Sequence, residues 1–289
     1  MYNLFQLPNG DMRIEEKAFS PRVYLDHWAL NDFATDISLG QRFIDAMQKR
    51  GGSLRISVFG IRELLGQGDQ GQVQAIINFL RKVDCGFIHS NPKKVIASEN
   101  ILILKSESCS LISDLIQDVS PPAWDMSLVK EYVLSNGVTP IIRAADVIER
   151  IINENIETGG KGLSNNFGAQ LNPLINRARN DPVSLSKAAK MFKAVKTRGM
   201  EYKAATREIY NLVIAHLIKN KTMGMPTPSH WYDVFHVVVP VSYCHLVLID
   251  GRWTNFIQTT GLKYPDIAMV FNKSTLNDFF NKLENRRFL

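Results

Sequence analysis

Residues 23–34 read VYLDHWALNDFA, Val23 to Ala34, and the order of side-chain types in this stretch decides the fold. Arg22 to Leu25 is a short β-prone run that closes on Asp26, and the residues that follow, through Asp32 to Asp36, carry helical spacing. A strand that runs through an acid into a helix is the opening of an α/β unit.

Outward from that unit the pattern repeats. Ser38 is placed to cap a second helix, with Leu39, Phe43, Ile44 and Met47 at helical intervals until Gly51 and Gly52 stop it. Leu54 to Phe59 alternates and is β-branched, which predicts a strand. After Gly60 a short helix containing Glu63 is expected, then a longer one with Val73, Ile76, Ile77, Leu80 and Val83 on one face, then a third strand at Cys85 to His89. Strands separated by helix-length crossovers pair in parallel, so the expected class is α/β with a parallel sheet.

From about Asn91 to Met225 the strand signal fades. Leu111, Ile112, Leu115 and Ile116 define one helix that Pro121 and Pro122 end, and Pro140 begins another whose stripe is Ile141, Ile142, Ala145, Ile148, Ile151 and Ile152. A loop is expected over Thr158 to Asn166, followed by basic helices over roughly Ser184 to Lys219. Strand character returns at Leu246 to Ile249 and near Ile267 to Phe271, with a helical stretch at Arg252 to Thr259 between them. Thr275 and Asp278 stand at capping-box spacing before a last helix carrying Leu276, Phe279, Phe280 and Leu283. The organisation this predicts is an α/β core, residues 1–90 and 226–289, interrupted by a helical, basic insertion at 91–225.

The chain has 289 residues, 45% hydrophobic and 21% charged, which suits an ordinary globular protein and not a disordered one. Cys85, Cys109 and Cys244 are widely spaced without a CxxC pair, and read as buried thiols of a reducing, cytoplasmic setting. Residues 1–10 show no basic stretch leading into an apolar run. The most apolar segment, Val237 to Ile249, is too short for a bilayer and is interrupted by Pro240, Ser242 and His245, so no membrane partner is expected. The net charge of +6 is uneven: residues 171–222 hold 11 basic and 3 acidic side chains, a local +8. One face is therefore expected to meet a polyanion.

Carboxylates stand at the ends of the expected strands. Asp26 closes the first, Glu63 follows the second by a few residues, Asp250 closes the strand Leu246 to Ile249, and Asp233 lies on the helix running into that strand. The crevice of an open parallel sheet lies beyond the carboxyl ends of its strands, so acids distant in sequence converge there. Four such groups cannot remain ionised together without a cation, and oxygen donors suit Mg²⁺ or Mn²⁺. A water on such an ion is a nucleophile for a phosphodiester.

The segments VYLDHWALNDFA, SVFGIRELLG (from Ser57), HWYDVFHVVVPVSYCHLVLIDGRW (from His230) and FNKSTLNDFFNKLE resemble the successive blocks of PIN domains over about the first 90 and last 65 residues. The resemblance implies a three-layer α/β/α sandwich and a metal-dependent nuclease that cleaves RNA, less often single-stranded DNA. It implies Asp26, Glu63, Asp233 and Asp250 as the ligands of Mg²⁺ or Mn²⁺. Two positions depart from the family: His27 and Trp28 follow the first acid where a small hydroxyl or amide residue is common, and His245 stands near where many relatives have a further acid. His27 is a candidate substitute ligand or phosphate contact; His245 is a candidate substrate contact or packing residue.

Other chemistries are weaker. His230, Asp233 and His236 share a helix face and invite a zinc or iron reading, yet Trp231, Phe235 and Val237 around them favour packing, and HExxH is absent. No GxSxG elbow is present, Cys244 sits in a strand-like apolar stretch, and Thr158 to Ser164 (TGGKGLS) lacks phosphate-loop spacing. Lys187, Lys190, Lys193 and Lys196, with Arg198, line one side of a helix, either as a solvated face or as a phosphate-tracking surface. A catalytically silent PIN-like binding module, a helical interaction scaffold, self-association and a regulatory protein partner stay open at this point.

Overall fold

The structure, a computed structural model, describes residues 2–6, 12–16, 19–57, 59–61, 63, 69–89, 91–97, 99–100, 127–136, 141–155, 163–198, 205–220 and 226–288. In chain order the strands are β1 Tyr2–Gln6, β2 Met12–Glu16, β3 Arg22–Leu25, β4 Ser53–Ser57, β5 Cys85–Ile88, β6 Ile141–Ile142, β7 Leu246–Leu248 and β8 Met269–Phe271. The longer helices are α1 His27–Thr35, α2 Ile37–Arg50, α3 Gln70–Leu80, α4 Ser127–Asn136, α5 Ala144–Asn155, α6 Leu163–Asn180, α7 Pro182–Arg198, α8 Ala205–Lys219, α9 Pro228–Tyr243, α10 Gly251–Thr260 and α11 Leu276–Asn285.

The main sheet is wholly parallel, in the order β5-β4-β3-β7-β8. The chain builds outward from β3 to β5 on one side, then returns to place β7 and β8 on the other. The reversal leaves a crevice between the carboxyl ends of β3 and β7, where loops leave in opposite directions. In register, Val23, Tyr24 and Leu25 oppose Leu246, Val247 and Leu248.

Because neighbouring residues of a strand point to opposite faces, each strand feeds two cores. Val23, Leu25, Leu54, Ile56, Phe87, Leu246 and Leu248 pack under α1, α2, α3, α5 and α11. An aromatic cluster anchors this layer, with Phe33 and Phe43 at 5.1 Å and Phe279 and Phe280 at 5.4 Å between ring centres. Tyr24, Ile88, Val247 and Ile249 face the other way, onto buried residues of α6, α8, α9 and α10. Helices thus flank the sheet on both faces, as the alternation predicts. The helical segment expected as an insertion joins this second core through Ile175, Ile209, Leu212, Val213 and Leu217.

Local chemistry explains the element ends. Asp26 caps α1, accepting from the His27 amide at 2.8 Å. Asp36, and not Ser38, caps α2 by accepting from the Leu39 amide at 3.0 Å. Gly51 ends α2 at φ 63°, a left-handed conformation that costs little without a Cβ.

Several expectations change. Ile141 and Ile142 do not begin a helix: they form β6, antiparallel to Tyr2 and Asn3, and α5 starts at Ala144. Two β-branched residues beside an unpaired strand edge satisfy its backbone groups, which outweighs their helical spacing. The hairpin of β1 and β2, paired from Tyr2↔Glu16 to Gln6↔Met12, was not expected at all. The run from Val237 divides into the end of α9, a turn at Cys244 and the strand β7, with Pro240 inside the helix, so Cys244 terminates a helix instead of lying in a strand. Residues 163–166 of the expected loop belong to α6. Thr275 makes no side-chain cap to α11; Asn272 caps the short turn before it, accepting from the Ser274 amide at 2.9 Å. The expected helix around Leu111 to Ile116, and residues 158–162, lie outside the described residues.

Cys85 and Cys244 are buried thiols, each pushed up to about 12 by burial; Cys109 lies outside the described residues. No described helix is long and apolar enough to cross a membrane.

Candidate functional site

The crevice between β3 and β7 brings Asp26 and Glu63 together with His236. One donor atom from each of these three side chains lies within 4.8 Å of the others. Asp26 is held where β3 becomes α1, its backbone amide bonded to the Leu248 carbonyl at 2.8 Å, so the acid is tied to the end of β7 as well. Glu63 comes from the helical turn after β4. His236 projects from the middle of α9, where its ring is 2% exposed.

His236 is the hub. Its Nε2 stands 3.0 Å from Glu63 Oε2, and its Nδ1 stands 4.0 Å from Asp26 Oδ1. The Tyr24 hydroxyl also bonds Nδ1, and Ser57 Oγ lies 3.2 Å from that hydroxyl while accepting from the Gly60 amide at 3.0 Å. Tyr24 and Ser57 therefore form a buried bracket behind the imidazole. Such outer partners fix ring orientation and tautomer.

The electrostatics follow from one imidazole among several acids. Burial lowers the pKa of His236, but Glu63, 3.0 Å away, and the charges of Asp26 and Asp233 outweigh it and raise it to about 9. Burial pushes Glu63 up, yet its partner His236 more than offsets this and leaves it below the usual carboxylate range. Asp26 is raised, since burial prevails over the attraction of His236 and the His27 amide bond. A protonated His236 thus serves as the internal counter-ion of the pair.

Asp233 lies one helical turn before His236 on α9, near enough for Asp26 and His236 to affect it. Burial raises its pKa to about 6 against the pull of Arg252, whose Nη2 forms an ion pair with Asp233 Oδ2. It therefore borders the cluster while its carboxylate is engaged elsewhere. Asp250 is exposed and caps α10, accepting from the Arg252 amide at 2.7 Å; it is not a member of the close set. Of the four acids expected, two meet, one stands alongside and one holds a helix end.

The two departures resolve differently. His27 is half-buried at the start of α1, with its ring nitrogen 3.1 Å from Asn31 Nδ2 and close enough to Glu63 and Asp26 to feel both, which leaves it beside the site. His245 is a packing residue: its Nδ1 accepts from the Arg22 amide at 2.9 Å and its ring meets Phe288 edge-on at 5.5 Å. The spacing of His230, Asp233 and His236 is visible in the sequence, where their apolar neighbours favour packing. His236 is both packed and central, a combination that residue spacing does not reveal.

On α7, Lys187, Lys190 and Lys193 are exposed while Ala188 is buried and Phe192 meets Phe256 at 6.2 Å. The helix therefore presents lysines outward from an apolar seat. The side chains of Lys196 and Arg198 lie outside the described residues.

Two carboxylates and an imidazole are a recurrent donor set for divalent ions, and the imidazole shifts preference from Mg²⁺ toward Mn²⁺ and later transition metals. The donors fit such an ion, which would take the position now balanced by the proton on His236. No protein-family model matches the chain, and neither a curated protein nor a solved structure matches it.

Proposed function

We propose that the protein is a metal-dependent nuclease of the PIN-like kind, acting on RNA. The observation that carries this reading is the convergence of Asp26, Glu63 and His236 within 4.8 Å, at the reversal point of a parallel sheet. Asp26, Glu63 and His236 would hold Mn²⁺ or Mg²⁺, with Mn²⁺ favoured by the imidazole. The ion would supply an activated water and neutralise charge on a phosphate oxygen. Tyr24 and Ser57 orient His236, while Lys187, Lys190 and Lys193 offer the phosphate backbone a salt-sensitive track. Neutral dispersed thiols suit a cytoplasmic setting.

The direct test is cleavage of mixed single-stranded RNA and DNA with Mn²⁺, Mg²⁺ or EDTA, beside the Asp26→Asn variant. RNA cutting that needs the metal and disappears in the variant is the expected result. Equal cutting by the variant overturns the assignment.

One observation favours a second reading, a PIN-like module that binds nucleic acid or a protein without cutting. Glu63 is matched by His236 and Asp233 by Arg252, so much of the acidic charge is balanced without any ion. Metal-dependent thermal stabilisation discriminates between them, because a silent module need not show it.

A further inference from the structure

The ion pair between Arg252 and Asp233 belongs to neither core. Both side chains are about one-third exposed, 34% and 31%, so a solute can reach them. Asp233 takes only Nη2 of the guanidinium, and Arg252 Nε is buried without an acceptor among the described residues. Asp233 thus leaves part of the guanidinium's donor set unused in this pose, and a phosphate that displaced Asp233 from Nη2 would be able to engage the guanidinium through two bonds at once. Arg252 is fixed in the first turn of α10 by its own amide bond to Asp250, with its guanidinium carbon 5.3 Å from the centre of the Trp253 ring. Asp233 is fixed on α9 one turn from His236, pairs with Arg252 and feels the charges of Asp26 and His236, although it lies outside their close set.

We propose that Arg252 is a substrate-phosphate residue that, until phosphate arrives, holds Asp233 away from the metal set, so that binding of a nucleic-acid phosphate frees Asp233 to complete it. The inference rests on the metal-dependent reading above. Arg252 gives up one carboxylate and gains a phosphate; Asp233 exchanges a guanidinium for a divalent ion. No covalent bond changes. The consequence is mutual reinforcement between ion and phosphate: each binds more tightly when the other is present, by the same factor. It also confines the full ligand set to moments when a phosphodiester is in place.

The experiment is calorimetric titration of Mn²⁺ into the full chain, with and without saturating adenosine 5′-monophosphate as the phosphate probe. Wild type, Arg252→Gln, Asp233→Asn and the double variant are compared. In wild type the probe is expected to tighten Mn²⁺ by roughly 5- to 150-fold, the usual range of coupling between sites. Arg252→Gln should bind Mn²⁺ more tightly than wild type without the probe, and lose the coupling. In the Asp233→Asn background, Arg252→Gln should change nothing. Tightening that persists there is the effect of deleting a nearby positive charge, and overturns the proposal. Unchanged or weaker Mn²⁺ binding by Arg252→Gln overturns it too. Mn²⁺ binding and RNA cleavage with no coupling to the probe overturns this inference alone, while absence of Mn²⁺ binding in wild type removes the metal-dependent reading with it.

Discussion

Two buried charged groups sit on the same sheet and have opposite characters. At the β4 and β5 side, Arg55 and Glu16 form a closed pair whose side chains are 0% and 2% exposed. Gly86 lies beneath them on β5, and a Cβ there would stand 1.8 Å from Glu16 Oε1. At the β3 and β7 side, Asp26 and Glu63 share one imidazole and keep 14% and 26% of their side-chain exposure, while Asp233 alongside is paired with Arg252. The first group is balanced, sealed and joins the β1–β2 hairpin to the sheet. The second holds more acids than cations of its own and is open to solvent. Charge imbalance together with access, more than burial itself, marks the position where chemistry can occur.

Substitutions in each of the two groups test this difference. The largest stability effect should come from the closed pair: Glu16→Leu strands the Arg55 charge and should cost about 3–5 kcal/mol, measured by urea unfolding. Gly86→Ala presses a methyl into that same pair and should also lower the midpoint. An unaltered midpoint in both variants would mean the pair is not a structural tie.

Asp26→Asn should do the reverse, removing a buried charge whose ionisation is already unfavourable. Its unfolding midpoint should hold or rise while RNA cleavage falls by about 100-fold or more, on the scale seen when groups that stabilise transition-state charge are deleted. A folded variant with full cleavage would end the parallel between charge imbalance and function.

The open group should also respond to pH. The folded pKa of His236 is raised from 6.5 to about 9, so its imidazolium contributes stability that is fully present below pH 6.5. That contribution is lost as pH rises through about 9. A divalent ion must displace that proton, so Mn²⁺-induced stabilisation should grow over the same window. Thermal melts from pH 6.5 to 9, with and without Mn²⁺, check both trends; a flat metal effect would place the ion off His236.

The smallest effect is expected at Asp250. As a cap, its replacement by Ala should cost about 0.5–2 kcal/mol, and Asp250→Asn should cost little because Asn caps as well. If Asp250→Asn instead abolishes cleavage in a folded protein, the exposed acid is a ligand and the site is larger than its close set.

The residues around Asp26 were legible from sequence because strand, acid and helix are local signals. The positions of β3, β4, β5, β7 and β8 follow from alternation and apolar runs, within a residue or two. The hairpin of β1 and β2 was not legible: β1 is matched to Ile142 and, through the bond from the Phe87 amide to Tyr2 Oη at 2.8 Å, to Phe87, partners about 85 to 140 residues away. Ser38 and Thr275 do not cap their helices because several hydroxyl and carboxyl residues compete within one turn, and only the backbone angle selects among them.

The α/β class, the acid at the end of β3 and the lysine-bearing face of α7 are written in the sequence, since each depends on periodicity or on neighbours in the chain. The tertiary structure decided membership of the site. It brought His236 onto Asp26 and Glu63, turned Asp233 toward Arg252 and left Asp250 at a helix end. Those outcomes depend on which side chains meet across the sheet's crevice, and distances between elements are not encoded in the spacing of residues along any one of them.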